Sequence, residues 1–210
     1  MKIKKDHMLL YIVTDRAWLG ARQLSEQVED SLHAGATMVQ LREKDMGFGD
    51  FVKEAKEIGA LTKKYQVPFI INDNVDVAVA ADADGVHLGQ EDGDLAEIRK
   101  RLGKDKIIGI SAHNVEEALK AQADGADYLG VGAVFPTDTK KDANPLTLGL
   151  LKSICGAVHI PVVAIGGITK DNIMNLAGSG VDGVAVISAI FAQKDIGKAT
   201  RELLDLSKLL

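Results

Sequence analysis

The sequence predicts an α/β fold, a single (β/α)8 TIM barrel spanning residues 1–210, and three observations predict it. Short β-type apolar runs alternate with helical patterns along the chain, one run after another stops abruptly in polar residues, and a six-residue phrase recurs where a helix should end and a strand begin. Strict alternation of strand and helix implies parallel strands joined by right-handed crossovers, and eight such units close a barrel. The strand interiors of a closed barrel fill a dry core. Polar side chains can then converge only at the carboxyl ends of the strands and in the loops that follow them.

The strand-like runs cover residues 9–14, 38–41, 68–71, 85–88, 107–110, 128–135, 161–165 and 183–187. Between the first two, Leu24, Val28 and Leu32 recur every fourth position, and after the fourth run Leu95, Ile98 and Leu102 recur at three and four, so each set lies on one helix face. Asn114, with Glu117 three residues later, reads as a capping box opening the helix after the fifth strand. The recurring phrase is Ala34-Gly-Ala-Thr-Met-Val39, Ala81-Asp-Ala-Asp-Gly-Val86, Asp124-Gly-Ala-Asp-Tyr-Leu129 and Ser179-Gly-Val-Asp-Gly-Val184. Gly35, Gly125 and Gly180 suit the left-handed conformation that ends a helix, and Asp82 fills the same place in the remaining copy. The phrases read as helix stops and nothing more, marking the rim opposite the site.

Composition narrows the class. At 210 residues and 46% hydrophobic content the chain can bury one sizeable core. A net charge of -5 argues against nucleic acid as a partner, since no broad basic face can displace counterions from a phosphate backbone. The single Cys155 cannot form an internal disulfide and sits among Leu151, Ile154 and Val158, as a small buried hydrophobe would. No export signal is recognisable, and no run reaches the roughly 18 apolar residues a membrane helix needs, so a cytoplasmic location with no membrane partner is expected.

The candidate site follows the strand ends. Gln40-Leu41-Arg42-Glu43-Lys44 ends the second strand as a candidate substrate-binding segment, with Gln40, Arg42 and Lys44 on one face by strand alternation. Two cations and an amide suit a polyanion, because Arg grips phosphate bidentately and Lys adds a compact charge. The alternative is a surface charge cluster neutralised by Glu43 and Asp45. Asp73 ends the third strand and Asp92 lies just beyond the fourth. On neighbouring strands the two carboxylates could share Mg2+, which keeps several waters and needs only one or two such ligands; His87 would be the lone nitrogen nearby, a poor start for zinc. Asn72 and Gln90 add neutral donors and acceptors. After the sixth strand, Thr137-Asp138-Thr139-Lys140 lies in a connection longer than most and reads as a binding loop in which Lys140 could stabilise a leaving group. Gly166-Gly167 and Ile187-Ser188 stand where barrels commonly bind phosphate through backbone amides and a helix N-terminus. Ser111 and His113 close the fifth strand, with the role of His113 open. Neither a nucleophile elbow nor a G-x-G-x-x-G fingerprint is present.

Taken together, Tyr11-Ile-Val-Thr-Asp15, Gln40-Leu-Arg-Glu-Lys44, Ile71-Asn-Asp73, Val86-His-Leu-Gly-Gln-Glu-Asp92, Gly109-Ile-Ser-Ala-His113, Phe135-Pro-Thr-Asp-Thr-Lys140, Ala164-Ile-Gly-Gly-Ile168 and Val186-Ile-Ser-Ala-Ile190 resemble the thiamine-phosphate synthase family over nearly the whole chain. The resemblance implies condensation of a pyrimidine diphosphate with a thiazole phosphate, releasing pyrophosphate. It implies that Gln40, Arg42, Lys44, Asn72, Ser111 and Lys140 hold the pyrimidine diphosphate, that Asp73 and Asp92 carry its Mg2+, and that Thr137, Thr139, Gly167, Ile187 and Ser188 bind the thiazole phosphate. Arg42, Lys44, Ser111 and Lys140 are then the candidate catalytic groups. Ala133 stands where many relatives have proline, and Gly149 where an acidic residue is frequent, which bears on loop stiffness more than on ligand contact. Rival readings are a thiazole tautomerase-like relative, which needs no metal pair and no diphosphate clamp, a non-catalytic phosphate-ligand barrel, and a sugar-phosphate isomerase. Exposed apolar helix faces would suit a homodimer.

Overall fold

The structure is a computed structural model and describes residues 3–137 and 145–210. Strands β1 (Leu10–Val13), β2 (Met38–Leu41), β3 (Phe69–Asn72), β4 (Gly85–Leu88), β5 (Ile107–Ala112), β6 (Tyr128–Gly132), β7 (Val162–Ile165) and β8 (Gly183–Val186) form a closed barrel in chain order, every pairing parallel. The strand ends agree with the sequence pattern to within a few residues, except that β6 stops at Gly132. Beyond it the backbone still bonds β7's end, Val134 N–H to Ile165 at 3.0 Å and Phe135 N–H to Gly166 at 3.1 Å, but as a loop leaning over the mouth.

The helices are α1 (Leu24–His33), α2 (Phe48–Tyr65), α3 (Val75–Ala80), α4 (Leu95–Leu102), α5 (Val115–Ala123), α6 (Leu148–Ala157), and, after β8, α7 (Ser188–Phe191) and α8 (Ile196–Ser207). Leu24, Val28 and Leu32 all bury against the strands, each such side chain contributing about 1.5–3 kcal/mol. The connection after β7 departs from strict alternation, because a 3-10 turn, Ile173–Leu176, replaces the expected helix. Asn172 is committed to the loop before that turn, accepting from Thr169 N–H and donating to the Gly167 carbonyl, both at 2.8 Å, and Gly178 and Gly180 with φ of 73° and 90° end it soon after. Among the described residues no helix is long and apolar enough to cross a membrane.

Strand alternation divides the core in two. Outward residues such as Val39, Leu41, Ile71, Val86, Ile108 and Leu129 meet the helices, while Tyr11, Val13, Met38, Ile70, Ile107, Tyr128, Val163 and Ala185 fill the barrel itself. In the recurring phrase, residues 35, 82, 125 and 180 have φ of 105°, 52°, 96° and 90°, the left-handed helix stops expected. The phrase does more than stop helices. Its fourth position, Thr37, Asp84, Asp127 or Asp182, accepts the backbone N–H of Leu10, Phe69, Ile108 or Val162 at 2.8, 2.9, 2.8 and 2.9 Å, pinning the start of each odd-numbered strand. Four such staples hold the rim opposite the site.

Candidate active site

The carboxyl ends of the strands surround a cavity of about 130 Å3 lined by Gln40, Arg42, Asn72, His87, Ser111, Thr137, Gly167, Ile187 and Ser188 over an apolar floor that includes Val13, Val163, Ile165 and Ala185. An outer groove of about 880 Å3 adjoins it, walled by Asp15, Arg16, Arg42, Glu43, Lys44, Thr137, Gly167 and Ser188. Gln40, Arg42, Asn72, Ser111, Thr137, Gly167, Ile187 and Ser188, picked out from far-apart strand ends, thus share one mouth. Lys44 is exposed and reaches only the groove. Leu41 is fully buried in the layer facing the helices, so its side chain points away from both. Asp138, Thr139 and Lys140 lie outside the described residues.

The basic lip is pre-positioned. Arg42 N–H donates to the buried Thr14 hydroxyl at 3.0 Å, and its guanidinium, 13% exposed, lies 3.5 Å from Asp15. Glu43 turns the other way: Arg16 Nε bridges both its oxygens at 2.9 Å and Arg16 Nη2 reaches Glu54 at 2.5 Å. Glu43 is therefore engaged by Arg16 rather than by Arg42 or Lys44, and Arg42 has Asp15 as its ion-pair partner at the edge of the mouth. Burial, with Glu54 close by, pushes Glu43 up to about 7 against the pull of Arg16.

A second lip, one strand away across β1, is backbone. Gly167 has φ of 65°, and a Cβ there would lie 2.3 Å from the Pro136 carbonyl oxygen, so the loops after β6 and β7 approach as closely as a glycine permits. Ser188 opens α7, in which the N–H groups of Ile190 and Phe191 already bond the Ile187 carbonyl at 3.1 and 3.0 Å, so an anion there would be met by those of Ser188 and Ala189. Such a lip suits a phosphate.

Asp73 and Asp92 meet the same corner. Asp73 N–H donates to the His87 carbonyl at 2.9 Å, and Asp92 Oδ2 accepts Gly89 N–H at 2.5 Å, so both are tied to the end of β4. Both residues are exposed, and among the described residues no three His, Cys, Asp or Glu side chains gather for a metal. Neither lines the cavity or the groove, so the described mouth does not itself gather the pair; oxygen donors of this kind suit a largely hydrated Mg2+ better than zinc. His113 is held by Glu117, whose Oε2 accepts its N–H at 2.8 Å and sits 3.0 Å from its Nδ1, so the capping box reaches one residue further back than expected.

Beneath the mouth runs a polar chain that the motif reading passed over. Gln40 Nε2 donates to the Tyr11 hydroxyl at 2.6 Å, Tyr11 meets the Tyr128 hydroxyl at 2.8 Å, Tyr128 meets His87 Nδ1 at 2.9 Å, and His87 Nε2 meets Ser111 Oγ at 3.1 Å. Its trace in the sequence is one polar residue at an inward position on each of five strands.

The sequence model of the family described as thiamine monophosphate synthase matches residues 10–190, the span from β1 through most of α7. The chain belongs to that family. Among members, a thiamine-phosphate synthase of Clostridium tetani is 51% identical over 92% of this chain and 93% of its own, and one of Clostridium botulinum is 51% identical over 97% and 95%. The solved thiamine phosphate pyrophosphorylase of Pyrococcus furiosus superposes with a TM-score of 0.89 at 43% identity, covering 97% of each chain. A 3-hexulose-6-phosphate synthase superposes with a TM-score of 0.67 at 18% identity and shares the barrel alone.

Proposed function

We propose that the chain joins 4-amino-2-methyl-5-hydroxymethylpyrimidine diphosphate to 4-methyl-5-(2-hydroxyethyl)thiazole phosphate, giving thiamine phosphate and pyrophosphate. Family membership makes it a thiamine-phosphate synthase, a transferase. One observation supports the finer reading most: a single mouth has a guanidinium lip at Arg42 and a backbone-amide lip at Gly167 and Ser188, over a mostly apolar floor. Two phosphorylated substrates need two anion sites, and a planar heteroaromatic ring needs a small dry chamber between them.

In this reading Arg42, Lys44 and Lys140 draw the diphosphate to the basic lip, while Gln40, Asn72 and Ser111 orient the ring end of the same substrate. Departure of pyrophosphate leaves a cation delocalised over the electron-rich aminopyrimidine, so the work of the residues is to neutralise charge growing on the leaving oxygens. Asp73 and Asp92 would hold Mg2+, which supplies further neutralisation of that charge. Thr137, Thr139, Gly167, Ile187 and Ser188 anchor the thiazole phosphate so that the ring nitrogen lies next to the cation. Val163, Ile165 and Ala185 keep water from trapping it. No protein nucleophile takes part. Mixing the protein with both phosphorylated halves and Mg2+ should release pyrophosphate and thiamine phosphate in equal amounts; pyrophosphate release at the same rate with the thiazole phosphate omitted would point instead to a hydrolase.

A further inference from the structure

We propose that Gln40, Tyr11, Tyr128 and His87 form a directional hydrogen-bond relay across the barrel interior that keeps His87 as its Nε2–H tautomer and turns the Ser111 hydroxyl proton into the mouth. The direction starts at the amide. With Gln40 Nε2 donating at 2.6 Å, the Tyr11 oxygen receives a proton and must send its own onward to Tyr128, 2.8 Å away. The Tyr128 hydroxyl, already an acceptor, donates to His87 Nδ1 at 2.9 Å. Nδ1 thereby serves as an acceptor, so the imidazole carries its proton on Nε2, which donates to Ser111 Oγ at 3.1 Å. Each hydroxyl and the ring N–H between Gln40 and Ser111 then has an acceptor along the chain, and the serine proton is left to point at a ligand.

The surroundings hold the relay in place. Tyr11 and Tyr128 are 1% and 0% exposed, and burial raises the pKa of both, so each hydroxyl keeps the single proton on which the direction depends. A Cβ on Gly109 would lie 2.1 Å from Tyr128 Cζ, and one on Gly130 would lie 2.9 Å from His87 Cε1, so neighbouring backbone closes on both rings. Reversal would make Ser111 donate inward to His87 and present only lone pairs to the mouth, which repel an anion. The relay residues are thus positioning residues for Ser111, and their consequence for catalysis rests on Ser111 contacting the diphosphate as in the function proposed above.

Long-range 1H–15N spectra of ligand-free, histidine-labelled protein read the tautomer directly and do not depend on which reaction the protein runs. The expected result is His87 with Nδ1 unprotonated in the wild type. In Gln40→Glu the carboxylate can only accept, every link reverses, and Nδ1 should gain a proton two tyrosines away from the change. In Tyr128→Phe, which preserves volume, adding Gln40→Glu should no longer move the proton at Nδ1. A wild-type Nδ1–H, no change in Gln40→Glu, or the same response with and without the Tyr128 hydroxyl would each overturn the relay, the last by showing a through-space charge effect. Tyr128→Phe should also weaken binding of Mg2+-pyrophosphate about tenfold, near the lower end of what one hydrogen bond to a charged group contributes, and unaltered affinity would overturn the role given to Ser111. Failure of the condensation assay alone would leave the spectra, and hence the relay, standing.

Discussion

Gly167→Ala should separate substrate binding from folding at the amide lip. Two terms add: placing a Cβ on a residue at φ of 65° costs about 1–2 kcal/mol, and that Cβ would stand 2.3 Å from the Pro136 carbonyl oxygen and 2.8 Å from that of Phe135. These are backbone atoms, and Phe135 is itself tied to Gly166 at 3.1 Å, so relief requires the loop after β6 to move away by about 1 Å, taking Thr137 with it. A combined loss of about 2–4 kcal/mol lowers the melting temperature by about 5–15 °C for a chain of this size. Displacement on that scale can cost up to about 100-fold in a reaction that depends on alignment. The assay is initial-rate condensation with the thiazole phosphate varied, for which KM should rise at least tenfold. Gly20→Ala is the control. Gly20 also has a left-handed φ, 57°, but nothing lies within 4 Å of its added Cβ, so only the backbone term of about 1–2 kcal/mol remains and kinetics should not change. Equal kinetic effects in the two variants, or none in Gly167→Ala, would refute the claim that close approach of the two loops shapes the phosphate lip.

Three further outcomes follow from the geometry. Asp92→Asn keeps an oxygen for Gly89 N–H but removes the charge, so activity should fall with little remaining response to Mg2+; full wild-type activity in a chelator would contradict the metal assignment. Asp127→Ala leaves the buried Ile108 N–H without its acceptor at 2.8 Å, costing about 1–3 kcal/mol on the rim far from the mouth, so the melting temperature should drop while both KM values hold. Glu43, raised in the folded protein to about 7 from 4.5, binds its proton more tightly folded than unfolded, so its contribution to stability declines as pH rises through that window; melting curves of Glu43→Gln should lack this part of the pH slope, and identical slopes would contradict it.

Much of this was legible in the sequence because barrels separate stability from chemistry along each strand. Apolar runs located the strands, and the polar residues after them located the mouth: Gln40, Arg42, Asn72, Ser111, Thr137, Gly167 and Ser188 all line it. The recurring phrase predicted the left-handed residues at 35, 82, 125 and 180. Its aspartates went unread because a carboxylate that accepts a neighbouring strand's N–H is indistinguishable in sequence from one that ends a helix. The relay was hidden for a related reason. Tyr11 and Tyr128 sit inside apolar runs and read as core, which they are, and only closure of the barrel brings their hydroxyls 2.8 Å apart. Pairing choices were equally illegible: Glu43 bonds Arg16 from the β1 loop rather than its neighbours in sequence, because strand alternation turns it away from Arg42 and Lys44. Alternation and the helix-stop phrase at 179–184 imply a helix after β7, but the segment holds only a 3-10 turn, too short for helix propagation.

In the proposed function one mouth holds two separate anion sites, one cationic and one built of amides. A matrix of initial rates with both substrates varied, run on the wild type and on Arg42→Ala, tests it most directly. Arg42→Ala should raise KM for the pyrimidine diphosphate at least tenfold, with KM for the thiazole phosphate changed by less than about twofold and the melting temperature nearly unchanged, since Asp15 stays partly solvated. Equal rises in both constants, or a rise confined to the thiazole phosphate, would contradict it.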